Sequence, residues 1–273
     1  MLRTGPLHAA RAAMSGRIHP TAVIDPAAEL HETVEVGPYT VIGPGVTIGE
    51  GSWIGPHVVL QGPMRLGKRN KVFQFASLGE ISQDKTAKKD EDTRVEIGDD
   101  NVIREYVTIQ RGTLKQQGLT RLGDDNWIMA YCHIAHDCLI DSHTIFANGT
   151  TLAGHVHVED YVVLGGATLI HQFCRIGTHS FSAGGAGITR DVPPFVVVQG
   201  NPAAPRGINI EGIRRRGFTA DDITDIKHAY RSLFMAGLRA DEIKTELAQI
   251  AERSPHVRRL LEFVEQSKRL IQK

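Results

Sequence analysis

The chain has 273 residues, with 31 Lys+Arg against 31 Asp+Glu, 41 % hydrophobic and 23 % charged residues, an ordinary composition for a globular protein. Zero net charge argues against a surface wholly given to nucleic acid. No apolar stretch nears the roughly 20 residues that span a bilayer, and three cysteines in so long a chain do not make a disulfide framework. The 28 glycines against 6 % aromatics point to many turns around an aliphatic core.

Residues 1–13 (MLRTGPLHAARAA) hold two arginines, no acidic residue and no apolar run of signal-peptide length. Regular patterning begins at Ile18, so residues 1–17 are read as an unstructured extension outside the fold. An upstream start codon or a targeting segment would also account for them.

From Ile18 an aliphatic residue recurs every six positions: Ile18, Ile24, Leu30, Val36, Ile42, Ile48, Ile54, Leu60, Leu66, Val72 and Leu78. After one insertion the pattern resumes at Ile97, Ile103 and Ile109. After a second it resumes at Leu122 and runs through Ile128, Ile134, Ile140, Phe146, Leu152, Val158, Leu164, Ile170, Ile176, Ser182 and Ile188, with Ser182 the one polar member. A period of six is neither helical nor a simple strand alternation. Each hexad supplies a short strand and a turn. The aliphatic residue and the small or β-branched residue four later (Ala22, Thr40, Val46, Val58, Ala76) point inward. The glycine that often follows the aliphatic residue (Gly37, Gly43, Gly49, Gly55, Gly67, Gly79) is expected to relieve the corner. Stacked coils would pair their backbones at about 4.8 Å, which makes a parallel β-helix over residues 18–202. Cys132, Cys138 and Cys174 each fall four residues after a hexad aliphatic. They are therefore expected to be buried thiols filling a narrow core, which suits a reducing compartment.

Beyond Pro193-Pro194 the texture becomes helical, and residues 203–273 are read as a C-terminal helical domain. Thr219 is a candidate N-cap with Asp222 at the capping-box position. Ile223, Ile226, Tyr230, Leu233 and Phe234 follow at helical spacing, and Gly237 can end the helix. A second helix is expected over 241–252 and a third from Ser254-Pro255, with Val257, Leu260, Leu261, Val264 and Ile271 as its apolar stripe. Residues 203–273 hold 14 Lys+Arg and 10 Asp+Glu, so a basic tail follows a mildly acidic repeat region. Its densest cluster, Arg214-Arg215-Arg216, is either a solvated helix face or a docking site for phosphates or an acidic partner.

Chemistry concentrates in Tyr131-Cys132-His133-Ile134-Ala135-His136-Asp137-Cys138, in Leu152-Ala153-Gly154-His155 and in Ile170-His171-Gln172-Phe173. At 18 residues per coil, His136, Gly154 and Gln172 form one outward column, with Asp137 and His155 in the next. Such a face suits acyl transfer to a hydroxyl. A neutral His136 can take the proton of the nucleophile, Asp137 can orient the ring, and the Gly154 N–H can receive an oxyanion. The same histidines (His133, His136, His155, His171) could instead ligate zinc, and the spacing leaves that alternative open.

The motifs carry a resemblance. His133–Cys138, Leu152–Val156, His171–Cys174, Asp191–Pro194, Gln199–Asn201, Asn209–Gly212 and Arg215–Phe218, with Gln74–Ser77 and Thr93–Asp99, resemble the acyl-ACP–UDP-N-acetylglucosamine O-acyltransferase (LpxA) family over residues 17–273. The resemblance implies a left-handed β-helix and transfer of a 3-hydroxyacyl chain from acyl carrier protein to the 3-hydroxyl of UDP-N-acetylglucosamine, the first step of lipid A biosynthesis. It makes His136 the general base, Asp137 its partner and Gly154 the oxyanion amide. Asp84, His133, Asn148, His155, His171 and Gln172 would contact substrate, while Asn209, Glu211, Arg215 and Arg216 would serve the nucleotide and its phosphates. Gly184 would be an acyl-length ruler that leaves room for a chain near fourteen carbons. The implied assembly is a cytoplasmic homotrimer with sites between subunits. The family uses no metal or soluble cofactor beyond the phosphopantetheine on the donor. One departure stands out. The family's Leu-Lys-Tyr after Ser82-Gln83-Asp84 reads Lys85-Thr86-Ala87 here, in a loop one residue longer, and Lys85 is our choice for the substrate-contacting lysine.

Three other functions compete. The related N-acyltransferase of the same pathway carries a uridine-binding domain ahead of its repeats, and here the repeats start at Ile18. A hexapeptide-repeat carbonic anhydrase would hold stoichiometric zinc. A non-catalytic scaffold would be indifferent to loss of His136.

Overall fold

A two-residue strand cannot satisfy its own backbone, so a chain of hexads must stack its coils. The computed structural model describes residues 17–88 and 90–272. These form two compact units, one ending at Leu139 and one starting at Ile140. The expected N-terminal extension lies outside the described residues except for Arg17.

In the first unit every strand pairs in parallel with the strand one coil away. Val23–Ile24, Val41–Ile42, Val59–Leu60, Ser77–Glu80, Thr108–Gln110 and His133–Ile134 follow one another on one face. Glu29–Leu30, Val46–Ile48, Met64–Leu66, Arg94–Ile97 and Leu119–Leu122 make a second face. Glu35–Val36, Trp53–Ile54, Lys71–Val72, Val102–Ile103 and Trp127–Ile128 make a third. Ser77 pairs with Thr108, and Thr108 with His133, so the two insertions loop out and the register survives. The hexad aliphatics from Val36 to Ile134 are buried, whereas Ile18, Ile24 and Leu30, in the first coil described, are only partly covered.

Of the glycines that follow a hexad aliphatic, Gly79 takes a left-handed conformation (φ 84°), while Gly37, Gly43, Gly49, Gly55 and Gly67 do not and have a different role from the one expected. The left-handed corner falls two residues later, at Tyr39, His57, Phe75, Tyr106 and Tyr131 among others. Gly37 and Gly49 are needed for close approach: a Cβ on Gly37 would lie 2.7 Å from the Pro56 nitrogen, and one on Gly49 2.7 Å from the Gly67 carbonyl.

The inward position four residues on is not always small. Asn70, Asn101 and Asn126 stack there as a buried amide ladder. Asn70 Oδ1 accepts from the Asn101 backbone N–H (2.9 Å) and from its Nδ2 (3.0 Å), and Asn101 Oδ1 accepts from the same two groups of Asn126 at 2.9 and 3.0 Å. Cys132 and Cys138 are buried in this unit and Cys174 in the other, and none forms a disulfide.

The second unit repeats the scheme. Ile145–Phe146, Val163–Leu164, Phe181–Ser182 and Val196–Gln199 pair in parallel, as do Thr151–Leu152, Leu169–Ile170 and Gly187–Ile188 on another face and His157–Val158 with Arg175–Ile176 on a third. Ser182 is buried in an aliphatic position because its hydroxyl is 2.8 Å from Thr168 Oγ1 and accepts the Gly165 N–H. Ala204–Ile208 then pairs antiparallel with Val196–Gln199, a closing strand that the hexad pattern does not announce.

Four helices follow: α1 (Ile210–Arg215), α2 (Ala220–Phe234), α3 (Ala240–Ala251) and α4 (Pro255–Gln266). The short α1 goes beyond the sequence expectation. Thr219 and Asp222 form the expected capping box, and Ser254 caps α4 with Pro255 in its first turn. Ile213, Ile226, Leu247, Ile250, Val257 and Leu260 pack with Phe195 into one apolar core. Ile271 lies beyond the end of α4, and the buried Phe263 takes its place on the helix stripe. Among the described residues no helix is long and apolar enough to cross a membrane. The fold class is mainly β, a left-handed parallel β-helix of hexapeptide repeats followed by α-helices.

Replacing the middle rung of the amide ladder tests whether it holds the coils. Asn101→Leu keeps the branched shape but removes the acceptor of two Asn126 bonds, and is expected to cost about 2–3 kcal/mol in chemical denaturation. A neutral result would show that the ladder adds nothing to stacking.

Candidate active site

In the first unit the strand His133–Ile134 ends in a corner that carries His136 and Asp137. Asp137 takes the left-handed conformation (φ 58°), which a short polar side chain tolerates. Its N–H donates to Thr120 Oγ1 at 2.8 Å. The carboxylate is gripped from one side by Thr113: the backbone N–H reaches Oδ1 at 3.0 Å and Oδ2 at 3.1 Å, and the hydroxyl donates to Oδ2 at 2.6 Å. His136 Nδ1 lies 2.9 Å from Asp137 Oδ2. Both residues are buried, and the His136 side chain retains 11 % exposure.

This geometry sets the tautomer. A carboxylate can only accept, so Nδ1 carries the proton and a neutral ring presents Nε2 as a base. His133 stands beside it with Nδ1 2.7 Å from Thr108 Oγ1. Burial, and then the neighbouring His136, hold its pKa below the ordinary imidazole value.

Asp84 pairs with Lys115 Nζ at 2.5 Å and accepts from the Thr86 N–H and hydroxyl. These contacts hold its carboxyl well below the usual range, the Lys115 bond being the largest cause. The partner of Asp84 is thus Lys115, and Lys85 is exposed. Thr113 and Lys115 sit on one loop, so the segment that locks Asp137 also engages Asp84.

The second unit holds the other candidates. Gly154 accepts the Phe173 N–H (3.2 Å), and the His155 and Phe173 rings stack at 4.4 Å, which places Gly154–His155 one coil from Gln172–Phe173 as the spacing requires. His171 and Gln172 are exposed, and His171 Nδ1 lies 3.2 Å from the Gln172 carbonyl. Asn148, Gly166 and Gly184 occupy successive coils, joined by Ala167 N–H to Asn148 O and Gly185 N–H to Gly166 O, both 2.8 Å.

The structure separates the residues expected to serve the nucleotide. Asn209 is the N-cap of α1, accepting from Gly212 N–H and donating to the His179 carbonyl. Glu211 pairs with Arg215 at 2.9 Å. Arg216 lies over the Tyr161 ring, 4.7 Å from its centroid.

Comparison with known proteins fits this arrangement. A family model for UDP N-acetylglucosamine O-acyltransferase, domain 2, matches residues 191–272, and one for bacterial transferase hexapeptide repeats matches 120–154. An acyl-[acyl-carrier-protein]–UDP-N-acetylglucosamine O-acyltransferase of Halorhodospira halophila is 54 % identical over 93 % of this chain and 98 % of its own length. That of a Janthinobacterium species is 55 % identical over 92 % and 97 %. The solved LpxA of Acinetobacter baumannii superposes with a TM-score of 0.91 at 44 % identity, covering 94 % of this chain and all of that one. The chain belongs to the acyl-ACP–UDP-N-acetylglucosamine O-acyltransferase family.

As a member of that family it is an acyltransferase, and the resemblance carried by its motifs holds. Sequence reasoning overlooked Thr113 and Lys115. Both lie in the second insertion, outside the hexad register, and each contact spans more than twenty residues, so no local pattern marks them. A cluster in the second unit is also unannounced. His179 faces Arg216, His256 and Arg259 beside Tyr161, Phe195 and Phe218.

Two measurements check this geometry. Thr113→Val removes the 2.6 Å bond to the buried Asp137 carboxylate and keeps the backbone one, so the thermal midpoint is expected to drop with a loss of about 1.5–3 kcal/mol and kcat to fall about tenfold. His179 is held at about 4, first by burial and then by Arg216, His256 and Arg259. The unfolded chain therefore takes up a proton that the native state refuses. Stability from this site is complete above the ordinary value of 6.5 and is lost as pH falls toward 4. His179→Phe should show a smaller drop in thermal midpoint between those two pH values than the unaltered protein.

Proposed function

We propose that the chain transfers a 3-hydroxyacyl group from acyl carrier protein to the 3-hydroxyl of UDP-N-acetylglucosamine, the first step of lipid A biosynthesis. The observation that carries the mechanism is the His136–Asp137 pair, with the carboxylate fixed by Thr113 and Nε2 left as the base. His136 Nε2 takes the proton of the 3-hydroxyl, and the oxygen attacks the thioester carbonyl. Asp137 stabilises the imidazolium. The oxyanion is received by the Gly154 amide, the role given by the family resemblance. Collapse breaks the carbon–sulfur bond, and the departing phosphopantetheine sulfur takes the proton back from His136. Metal takes no part in this reading.

His133, His155, His171 and Gln172 contact the acyl donor or the sugar, and Asp84 with Lys85 or Lys115 contacts the sugar. Glu211, Arg215 and Arg216 serve the uridine diphosphate, with Asn209 acting through the helix it caps. The working enzyme is a cytoplasmic homotrimer whose sites lie between subunits. At Gly184 a Cβ would meet only the Gly166 carbonyl, at 3.4 Å. That open corner supports the acyl-length role that the family resemblance gives Gly184, with room for a chain near fourteen carbons.

Mass spectrometry of UDP-N-acetylglucosamine incubated with a panel of 3-hydroxyacyl-ACPs should yield an O-acylated product. No product with any donor sinks the reading, and stoichiometric zinc with carbon dioxide hydration would replace it. His136→Ala is expected to lower kcat by about 10²–10⁴ while the KM for UDP-N-acetylglucosamine stays within about threefold. In a donor competition, Gly184→Met should shift preference to shorter chains, and an unchanged preference removes the ruler.

A further inference from the structure

The tail after α4 is tied to the coil that carries Asp191. Ser267 Oγ donates to Asp191 Oδ2 at 2.7 Å. The Asp191 N–H donates to the Arg269 carbonyl at 3.0 Å, and the Ile271 N–H donates to the Asp191 carbonyl at 2.9 Å. Held between these two backbone bonds, Arg269 directs its guanidinium along the coil. Nε lies 3.7 Å from Asp191 Oδ1, and Nη2 donates to the Gln172 carbonyl and lies 3.3 Å from Cys174 Sγ. Burial pushes that thiol up to about 11, so it stays neutral and is no counter-ion for the guanidinium.

The Gln172 carbonyl has a second partner, His171 Nδ1 at 3.2 Å. A carbonyl has two lone pairs, and Arg269 and His171 use both. An acceptor at that position makes Nδ1 the protonated nitrogen, so the neutral ring of the exposed His171 turns Nε2 outward as an acceptor. Without Arg269 the Gln172–Phe173 peptide keeps its Phe173 N–H bond to the Gly154 carbonyl, but its own carbonyl loses the charged donor that fixes it beside the His171 ring, and the ring could take either tautomer.

We infer that Arg269 is a positioning residue: by clamping the Gln172 carbonyl it holds His171 in the Nδ1–H tautomer, with Nε2 ready to accept a hydrogen bond from substrate. The inference rests on the reading that His171 contacts substrate.

Three variants and one spectrum test it. Arg269→Ala should lower kcat/KM about tenfold, and Arg269→Lys should recover most of that loss. Ser267→Ala loosens the same tail without touching the Gln172 carbonyl and should leave kcat/KM within twofold. In a His171→Ala background, Arg269→Ala should cost nothing further, since its effect passes through that ring. The ¹⁵N ring signals of His171 should show the Nδ1–H tautomer in the unaltered enzyme and a mixture in Arg269→Ala. Multiplying losses in the double variant, equal losses in Ser267→Ala and Arg269→Ala, or an unchanged tautomer would each overturn the inference. Full activity of His171→Ala alone would remove the contact reading instead, and the ring signals would still decide whether Arg269 sets the tautomer.

Discussion

Backbone pairing between coils is the constraint from which the rest follows. In the first unit Val23 N–H donates to Thr40 O, Val41 N–H to Val58 O and Val59 N–H to Ala76 O, each at 2.9 Å. A strand of two residues has no other protein partner for these groups, and leaving one buried and unmet costs about 1–3 kcal/mol, as much as a buried aliphatic side chain returns. Stacking in one register then puts like positions in columns. The aromatic rings at the left-handed corners show the consequence: Tyr39, His57, Phe75, Tyr106 and Tyr131 stack at 4.8–5.3 Å, close to the coil spacing itself. Their geometry is imposed by the backbone. The close-approach glycines and the asparagine ladder answer to the same spacing.

The chemistry is placed where this regularity is interrupted. His136 and Asp137 lie on the repeat, but the carboxylate is aimed by Thr113, which belongs to an insertion. A rigid coil supplies a corner of known position, and the loop supplies the hydrogen bonds that a periodic surface lacks. The Thr113 N–H, shared by both oxygens, and the Thr113 hydroxyl leave the carboxylate a single orientation, and the orientation decides which nitrogen of His136 is basic. The same loop reaches Asp84 through Lys115, so two regions far apart in the chain answer to one short segment.

In the second unit the helices and the tail do comparable work. Burial, and then Arg216, His256 and Arg259 gathered around it, keep the His179 imidazole neutral well below the ordinary range. The charge of the two arginines is local, in a chain whose net charge is zero. The tail returns to the coil at Asp191, and Arg269 places a cation against the His171–Gln172 corner.

The sequence by itself determined the fold class, the inward and outward positions, the burial of the cysteines, the helix caps at Thr219 and Ser254, and the corner on which His136 and Asp137 sit. All of these depend on periodicity or on contacts within a few residues. Tertiary structure alone decided that Thr113 locks Asp137, that Lys115 rather than Lys85 pairs with Asp84, and that Arg269 reaches Gln172. Those contacts join residues separated by insertions or by a whole helical segment. Their pairing depends on where a loop or tail returns, which no repeat spacing encodes.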